Sequence, residues 1–242
     1  MKTSPVKSER PAVLIVGDDA IVVEYASLVT AAGHRVFYSE KIKTLKSVSQ
    51  EISIALELTN LDPALKKSNL VAMDKTLSAT TAILSSSITV STLEQAGWIW
   101  MKHRLIGIAA LPSLSGHRTI EVAPCAHTLD ATIDVTRRFF ASIKKETAVV
   151  QDRVGMVLPR ILCQVINEAL FAVQQGVAEP KDIDIAMKLG TNYPMGPIEW
   201  GEKIGFNQVN AVIAALFADL GEERYRVCPL LKELATTGKF WG

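Results

Sequence analysis

An α/β domain on a doubly wound parallel sheet, followed by an all-α C-terminal domain, is the fold class predicted by this 242-residue sequence. Two observations carry that expectation. In the first, Ala12–Val16 is a short apolar run closed by Gly17. Ile21, Val22, Tyr25, Leu28 and Val29 then keep helical spacing up to Gly33, and Arg35–Tyr38 reads as a second strand. Strand, turn, helix and strand at this length make a right-handed parallel crossover, the opening unit of such a sheet. In the second, Leu158, Ile161, Leu162, Val165, Ile166, Ala169, Leu170 and Val173 recur at i, i+3, i+4 and i+7, the spacing of one buried helix face.

Between these two signals, Ile52–Leu58, Ala82–Ser86, Leu105–Ala110 and Thr119–Val122 are further strands, and Pro63–Leu77 and Leu129–Ser142 are covering helices. Thr147–Val150 is a last strand before the polar Gln151-Asp152-Arg153 hinge. The chain accordingly divides into a polar tail (1–10), an α/β domain (11–151) and a helical domain (152–242). Within the helical domain, Gly176 sits where a left-handed cap suits glycine. Glu179-Pro180 opens a second helix that Gly190 closes, with proline at its first position. Tyr193-Pro194 makes a rigid turn, and Gly196-Pro197 starts a third helix that stops at Gly205.

A hydrophobic fraction of 48% and a formal net charge of +1 describe an ordinary globular chain with ample core. No basic excess suggests nucleic acid or an anionic membrane. No apolar run reaches the roughly 18 residues of a membrane span, and the polar Met1–Pro11 is unlike a signal peptide. Cys125, Cys163 and Cys228 are odd in number and scattered, which argues against a disulfide framework or a zinc site and for a reducing cytoplasm. No metal site is expected.

The string NEA…GVA.P.DID.AMKLG..YPMGP.E within Val165–Gly205 resembles the C-terminal domain of the 3-hydroxyacyl-CoA dehydrogenase family. The likeness continues through Arg224-Tyr225-Arg226 and Pro229-Leu230-Leu231-Lys232. It implies a Rossmann-like NAD-binding domain ahead of a helical domain that makes a homodimer and walls one side of the active site. It also implies NAD as coenzyme and coenzyme A thioesters as substrates.

A dinucleotide-binding turn uses its glycines for a tight turn, for close approach to the pyrophosphate and for helix–strand contact. Here Gly17 keeps the first, while Asp19 and Val22 replace the second and third. Asp18 and Asp19 place carboxylates at a helix N-terminus, where a phosphate would otherwise be stabilised. They are expected to cap the helix, and conventional NAD binding is disfavoured. Glu40, 23 residues after Gly17, matches the family's ribose-binding acidic residue or is a solvated strand end. Lys41, Lys43 and Lys46 read as a solvated face. From Glu40 to Thr89 there are 49 positions. The family has several tens more, which hold the helical hairpin that contacts coenzyme A.

Oxidation of a secondary alcohol needs a base for the hydroxyl proton, and the resemblance implies a His paired with a Glu, near a Ser and an Asn. On the matching register Glu121 keeps the carboxylate, but Ala109 stands in place of the histidine and Pro159 in place of the asparagine. Thr89 is the candidate hydroxyl, within one residue of register. Glu57 also matches a family Glu and is read as a strand-end carboxylate. His34 takes a structural place after the first helix. Of His103, His117 and His127, only His117 lies beside the Glu121 segment. Ser113 and Ser115 lack a nucleophile elbow, which argues against hydrolase chemistry. The leading expectation is a catalytically impaired relative that binds a small ligand or pairs as a dimer partner. The alternatives are an active NAD-dependent oxidoreductase using Glu121, Thr89 and water, and a purely structural dimerisation module.

Overall fold

The computed structural model of the chain describes residues 10–38, 49–113 and 115–240. Glu40, Lys41, Lys43 and Lys46 lie outside the described residues. The sheet strands are β1 (Ala12–Gly17), β2 (Val36–Tyr38), β3 (Ile52–Leu58), β4 (Ala82–Ser86), β5 (Leu105–Ile108), β6 (Thr119–Ala123) and β7 (Glu146–Val149). Their spatial order is β2-β1-β3-β4-β5-β6-β7. Every neighbouring pair is parallel except β5–β6, which is antiparallel. That departure from the all-parallel expectation follows from the short return between β5 and β6, since a parallel connection needs a longer crossover.

Helices cover both faces, which is why β1 is an unbroken apolar run rather than an alternating one. On one face Ile21, Tyr25 and Val29 of α1 (Asp19–Ala31) and Phe139 and Phe140 of α4 (Asp130–Ser142) pack over Val13, Ile15 and Leu56. On the other, Leu70 and Met73 of α2 (Pro63–Thr76) and Ala96 of α3 (Thr92–Ala96) cover Leu14, Val16 and Ile83.

The helical domain contains α5 (Leu158–Gln174), α6 (Pro180–Thr191), α7 (Pro197–Ile204), α8 (Phe206–Leu220) and α9 (Pro229–Thr237). Its core also takes in Ile88, Leu111 and Ala123 from the sheet side. Gly176 adopts the expected left-handed conformation, with φ +69°. Gly190 does not close α6; the helix runs to Thr191 and Asn192 takes the left-handed cap, φ +56°, which its short polar side chain tolerates. Among the described residues no helix is long and apolar enough to cross a membrane, and no His, Cys, Asp and Glu group is arranged to hold a metal ion.

Candidate functional site

Strand order reverses at β1, whose neighbours β2 and β3 continue the sheet in opposite directions. In open α/β sheets ligands bind outside the strand C-termini at such a point. Gly17 ends β1 there with φ +139°, and a Cβ on it would lie 2.4 Å from the carbonyl carbon of Leu58. The glycine is thus required by the contact between β1 and β3, whatever the ligand. Contrary to expectation, the Asp18 side chain makes no capping hydrogen bond to α1. Its Oδ2 instead accepts from the Asn60 backbone N–H at 2.9 Å and from Gln208 Nε2 at 2.8 Å. Asp19 occupies the first turn of α1 and is exposed.

Around Asp18 the strand ends are tied together by the chain's own polar side chains. Asn60 Nδ2 donates to the carbonyl of Ala110 at 2.9 Å and to Gln208 Oε1 at 3.0 Å. Ser86 Oγ donates to Asn60 Oδ1 at 2.6 Å. Asp18, Asn60 and Ala110 follow β1, β3 and β5, and Ser86 ends β4, along one edge of the sheet, while Gln208 descends from α8. Asn60 and Gln208 are buried, at 2% and 3% exposure. Buried polar groups satisfied this fully are costly to disturb, because each broken bond leaves an unpaired partner. None of the sequence patterns pointed to Asn60 or Gln208; the only signal was a polar residue after a strand and another at a helix start.

The residues matched to the catalytic positions are brought near one another but are otherwise engaged. Ala109 N–H donates to the carbonyl of Glu121 at 3.0 Å, so the two stand opposite each other at the antiparallel β5–β6 pair. The Glu121 carboxylate accepts from the backbone N–H groups of Val157 and Leu158, both at 2.7 Å, and so caps the start of α5. Pro159 is buried in the first turn of that helix, where its missing N–H is harmless. Thr89 follows β4, its Oγ1 buried without a hydrogen-bond partner among the described residues. His117 is exposed, and only its carbonyl is used, accepting from Lys145 Nζ at 2.7 Å; burial lowers the pKa of that ammonium group. His103 and His127 are exposed as well. His34 is structural, hydrogen-bonded to the carbonyl of Pro11 at 3.0 Å and to Ser142 Oγ at 2.8 Å.

Glu57 lies one residue from the end of β3, as expected of a strand-end carboxylate, but it is withdrawn from solvent. It is fully buried and ion-paired to the equally buried Lys66, whose Nζ also donates to the Ser86 carbonyl at 2.9 Å. Ser85 Oγ donates to Glu57 Oε2 at 3.1 Å. A charge buried this deeply persists only when paired and hydrogen-bonded.

An interdomain cleft of about 580 Å³ opens beside Asp18, with Asp19, Glu24, Glu202, Lys203 and Asn207 on its walls. Glu24 Oε1 accepts from the Ser113 N–H at 2.8 Å, and Ser113 Oγ donates to the Lys203 carbonyl at 3.0 Å, so this loop bridges the two domains. These residues do not fit a dinucleotide. A pyrophosphate at the start of α1 would meet Asp18 and Asp19. The helix supplies only about half a positive charge there, and like charges in close contact cost about 1–4 kcal/mol per pair. Asp19 stands in the place of the glycine that would let the backbone approach the pyrophosphate closely, and Val22 in that of the glycine for helix–strand contact.

The family profile 3-hydroxyacyl-CoA dehydrogenase, C-terminal domain, matches residues 155–241. The chain is 31% identical over 226 residues to the 3-hydroxybutyryl-CoA dehydrogenase of Bradyrhizobium diazoefficiens, covering 90% of this chain and 72% of that protein. It is 35% identical over 128 residues to the 3-hydroxyadipyl-CoA dehydrogenase of Escherichia coli K12, covering 53% of this chain but only 27% of that one. The crystal structure of FadB2 from M. tuberculosis superposes with a TM-score of 0.83 over 94% of both chains, at 18% identity. That likeness speaks for the two-domain fold.

Proposed function

Because this chain belongs to the 3-hydroxyacyl-CoA dehydrogenase family, we propose that it is a catalytically impaired relative: a ligand-binding protein or dimer partner in hydroxyacyl-CoA metabolism of the cytoplasm. The observation that carries this reading is the pair of carboxylates at the start of α1, with Asp18 held by Asn60 and Gln208 beside the open cleft, where a coenzyme of this fold would place its phosphates. Loss of a positioned general base forfeits about 10²–10⁴ in rate, and Ala109 supplies none. The active alternative, with Glu121 as base, is disfavoured because both Glu121 oxygens are held by amides.

A homodimer through the helical domain is part of the proposal. α6 buries none of its residues, and Ile161, Ile185 and Leu189 are exposed at 57%, 41% and 83%, an apolar surface that a second copy would cover. The three free thiols accord with a reducing compartment. The test of function is NADH oxidation with acetoacetyl-CoA by the purified chain. No rate above buffer is expected, and saturable turnover abolished by Glu121→Gln would overturn the reading.

A further inference from the structure

The end of the sheet opposite the cleft, where β5 begins, carries a loop (97–104) that holds an aromatic side chain out in solvent. Trp100 is 91% exposed, more than any other large hydrophobic side chain among the described residues. Its backbone is nonetheless fixed. The buried carboxylate of Asp74, in the last turn of α2, accepts from the N–H groups of Trp100 at 2.8 Å and Met101 at 3.3 Å. Asp74 is ion-paired at 3.0 Å to Arg104, also buried, which donates in addition to the carbonyls of Asp74 and Ser78. Burying two charges carries a desolvation cost that good pairing only offsets. Here the pair serves a loop whose tip is an indole in water, already held in the shape in which a partner would meet it.

The surroundings of that ring select its partner. Leu129, 53% exposed, is tied to the same loop through its N–H, which donates to the His103 carbonyl at 3.1 Å. Trp98 is half-buried, with Lys67 Nζ 5.8 Å from its ring centre. Lys75 follows Asp74, and the Lys102 N–H donates to the Trp100 carbonyl at 3.0 Å. Among the described residues the lysines in ion pairs are Lys66, Lys188 and Lys203, so Lys67, Lys75 and Lys102 are unpaired. Asp74 is cancelled by Arg104, and the exposed carboxylates in the adjoining first turns of α3 and α4 are Glu94 and Asp130, one fewer than the unpaired lysines. A protruding indole flanked by lysines fits a boundary that is apolar on one side and anionic on the other. Tryptophan settles at the headgroup level of a bilayer, and lysine stems cover apolar surface while their ammonium groups stay with phosphates. We infer that this end of the molecule makes reversible contact with an anionic lipid surface, Trp100 seated among the headgroups and the three lysines against their phosphates. The formal net charge of +1 adds no long-range attraction, so the contact depends on this patch. It is independent of whether the cleft at the other end holds a ligand.

Sedimentation of the full chain with vesicles of phosphatidylcholine, alone or mixed in equal parts with phosphatidylserine, tests it. Binding is expected on the mixed vesicles and about tenfold or more weaker on phosphatidylcholine alone, and raising the salt should reduce the difference. Trp100→Ala should lower partition about tenfold, the size of one large apolar side chain returned to water, and Trp100→Phe should restore part of it. The double variant Lys75→Gln, Lys102→Gln should lose about fivefold for each charge removed on the mixed vesicles and nothing on phosphatidylcholine. Equal binding to both vesicles, sedimentation with neither, or a Trp100→Ala variant that binds like the parent would each overturn the inference. So would a larger species that forms without lipid and disappears in Trp100→Ala, since it would assign the ring to a protein contact.

Discussion

Ala109 carries only a methyl group, and the Glu121 carboxylate opposite it serves the amides of Val157 and Leu158. Removing it would leave those amides without their acceptor. Hydrogen bonds to charged groups contribute about 1.5–3 kcal/mol, so Glu121→Ala should lower the urea midpoint by a corresponding amount without altering the slope. An unchanged midpoint would show that the cap contributes nothing. For the same reason Ala109→His alone is expected to leave turnover at background, because its intended partner is already committed. The thiols offer a second residue-scale check. Cys163 is fully buried, and burial pushes its pKa well up; Cys228 is buried and raised in the same direction. Cys125 is half-buried and lines a cleft of about 490 Å³. A disulfide reagent should therefore modify one thiol rapidly and two only on unfolding. The identity of these residues was plain in the sequence. Their engagement was not, because a match to a catalytic position does not say which donors the carboxylate meets.

At the scale of elements, the Glu57–Lys66 pair joins β3 to α2 in a fully buried site. Lys66→Met should cost about 3–5 kcal/mol by stranding the carboxylate. The double variant with Glu57→Gln should recover much of that, and a thermal melt of the two variants decides the matter. Spacing alone does not reveal the pair, because Lys66 sits on a helix whose other two lysines, Lys67 and Lys75, are exposed. The helical domain was more legible because its punctuation is physical. Asp184 accepts from the N–H groups of Ile198 and Glu199 at 2.8 and 3.1 Å and so caps α7. A Cβ at Gly196 would come within 2.2 Å of the Asp184 carboxyl carbon. Asn167 Oδ1 accepts from the Cys228 N–H at 2.9 Å, and its Nδ2 donates to the Arg226 carbonyl at 3.0 Å. Residues of the recognisable helical string, Asn167, Asp184 and Gly196, are thus among those that stitch its helices together. The β5–β6 reversal and the left-handed Asn192 were hidden, since strand direction and cap choice depend on how the loops return.

In the molecule as a whole, the sheet edge and α8 are tied through Gln208, which both donates to Asp18 and accepts from Asn60. Gln208→Leu should raise amide exchange together in the β1–α1 turn and the first turn of α8, with β6 and β7 unchanged. A uniform rise across the chain would show that the network stabilises the protein without joining its domains. Position alone marks Asp18 as an obstacle to phosphate, but its partners lie 42 and 190 positions away, a separation that no local pattern encodes. The proposed dimer should appear as a single species of twice the monomer mass in sedimentation at micromolar concentration, and a stable monomer would contradict it. The central claim is that the carboxylates at the start of α1 keep the coenzyme out of the cleft beside them. Equilibrium titration with NADH, followed by its fluorescence, tests that most directly: the account predicts no saturable change into the millimolar range, and saturable binding at micromolar NADH would contradict it.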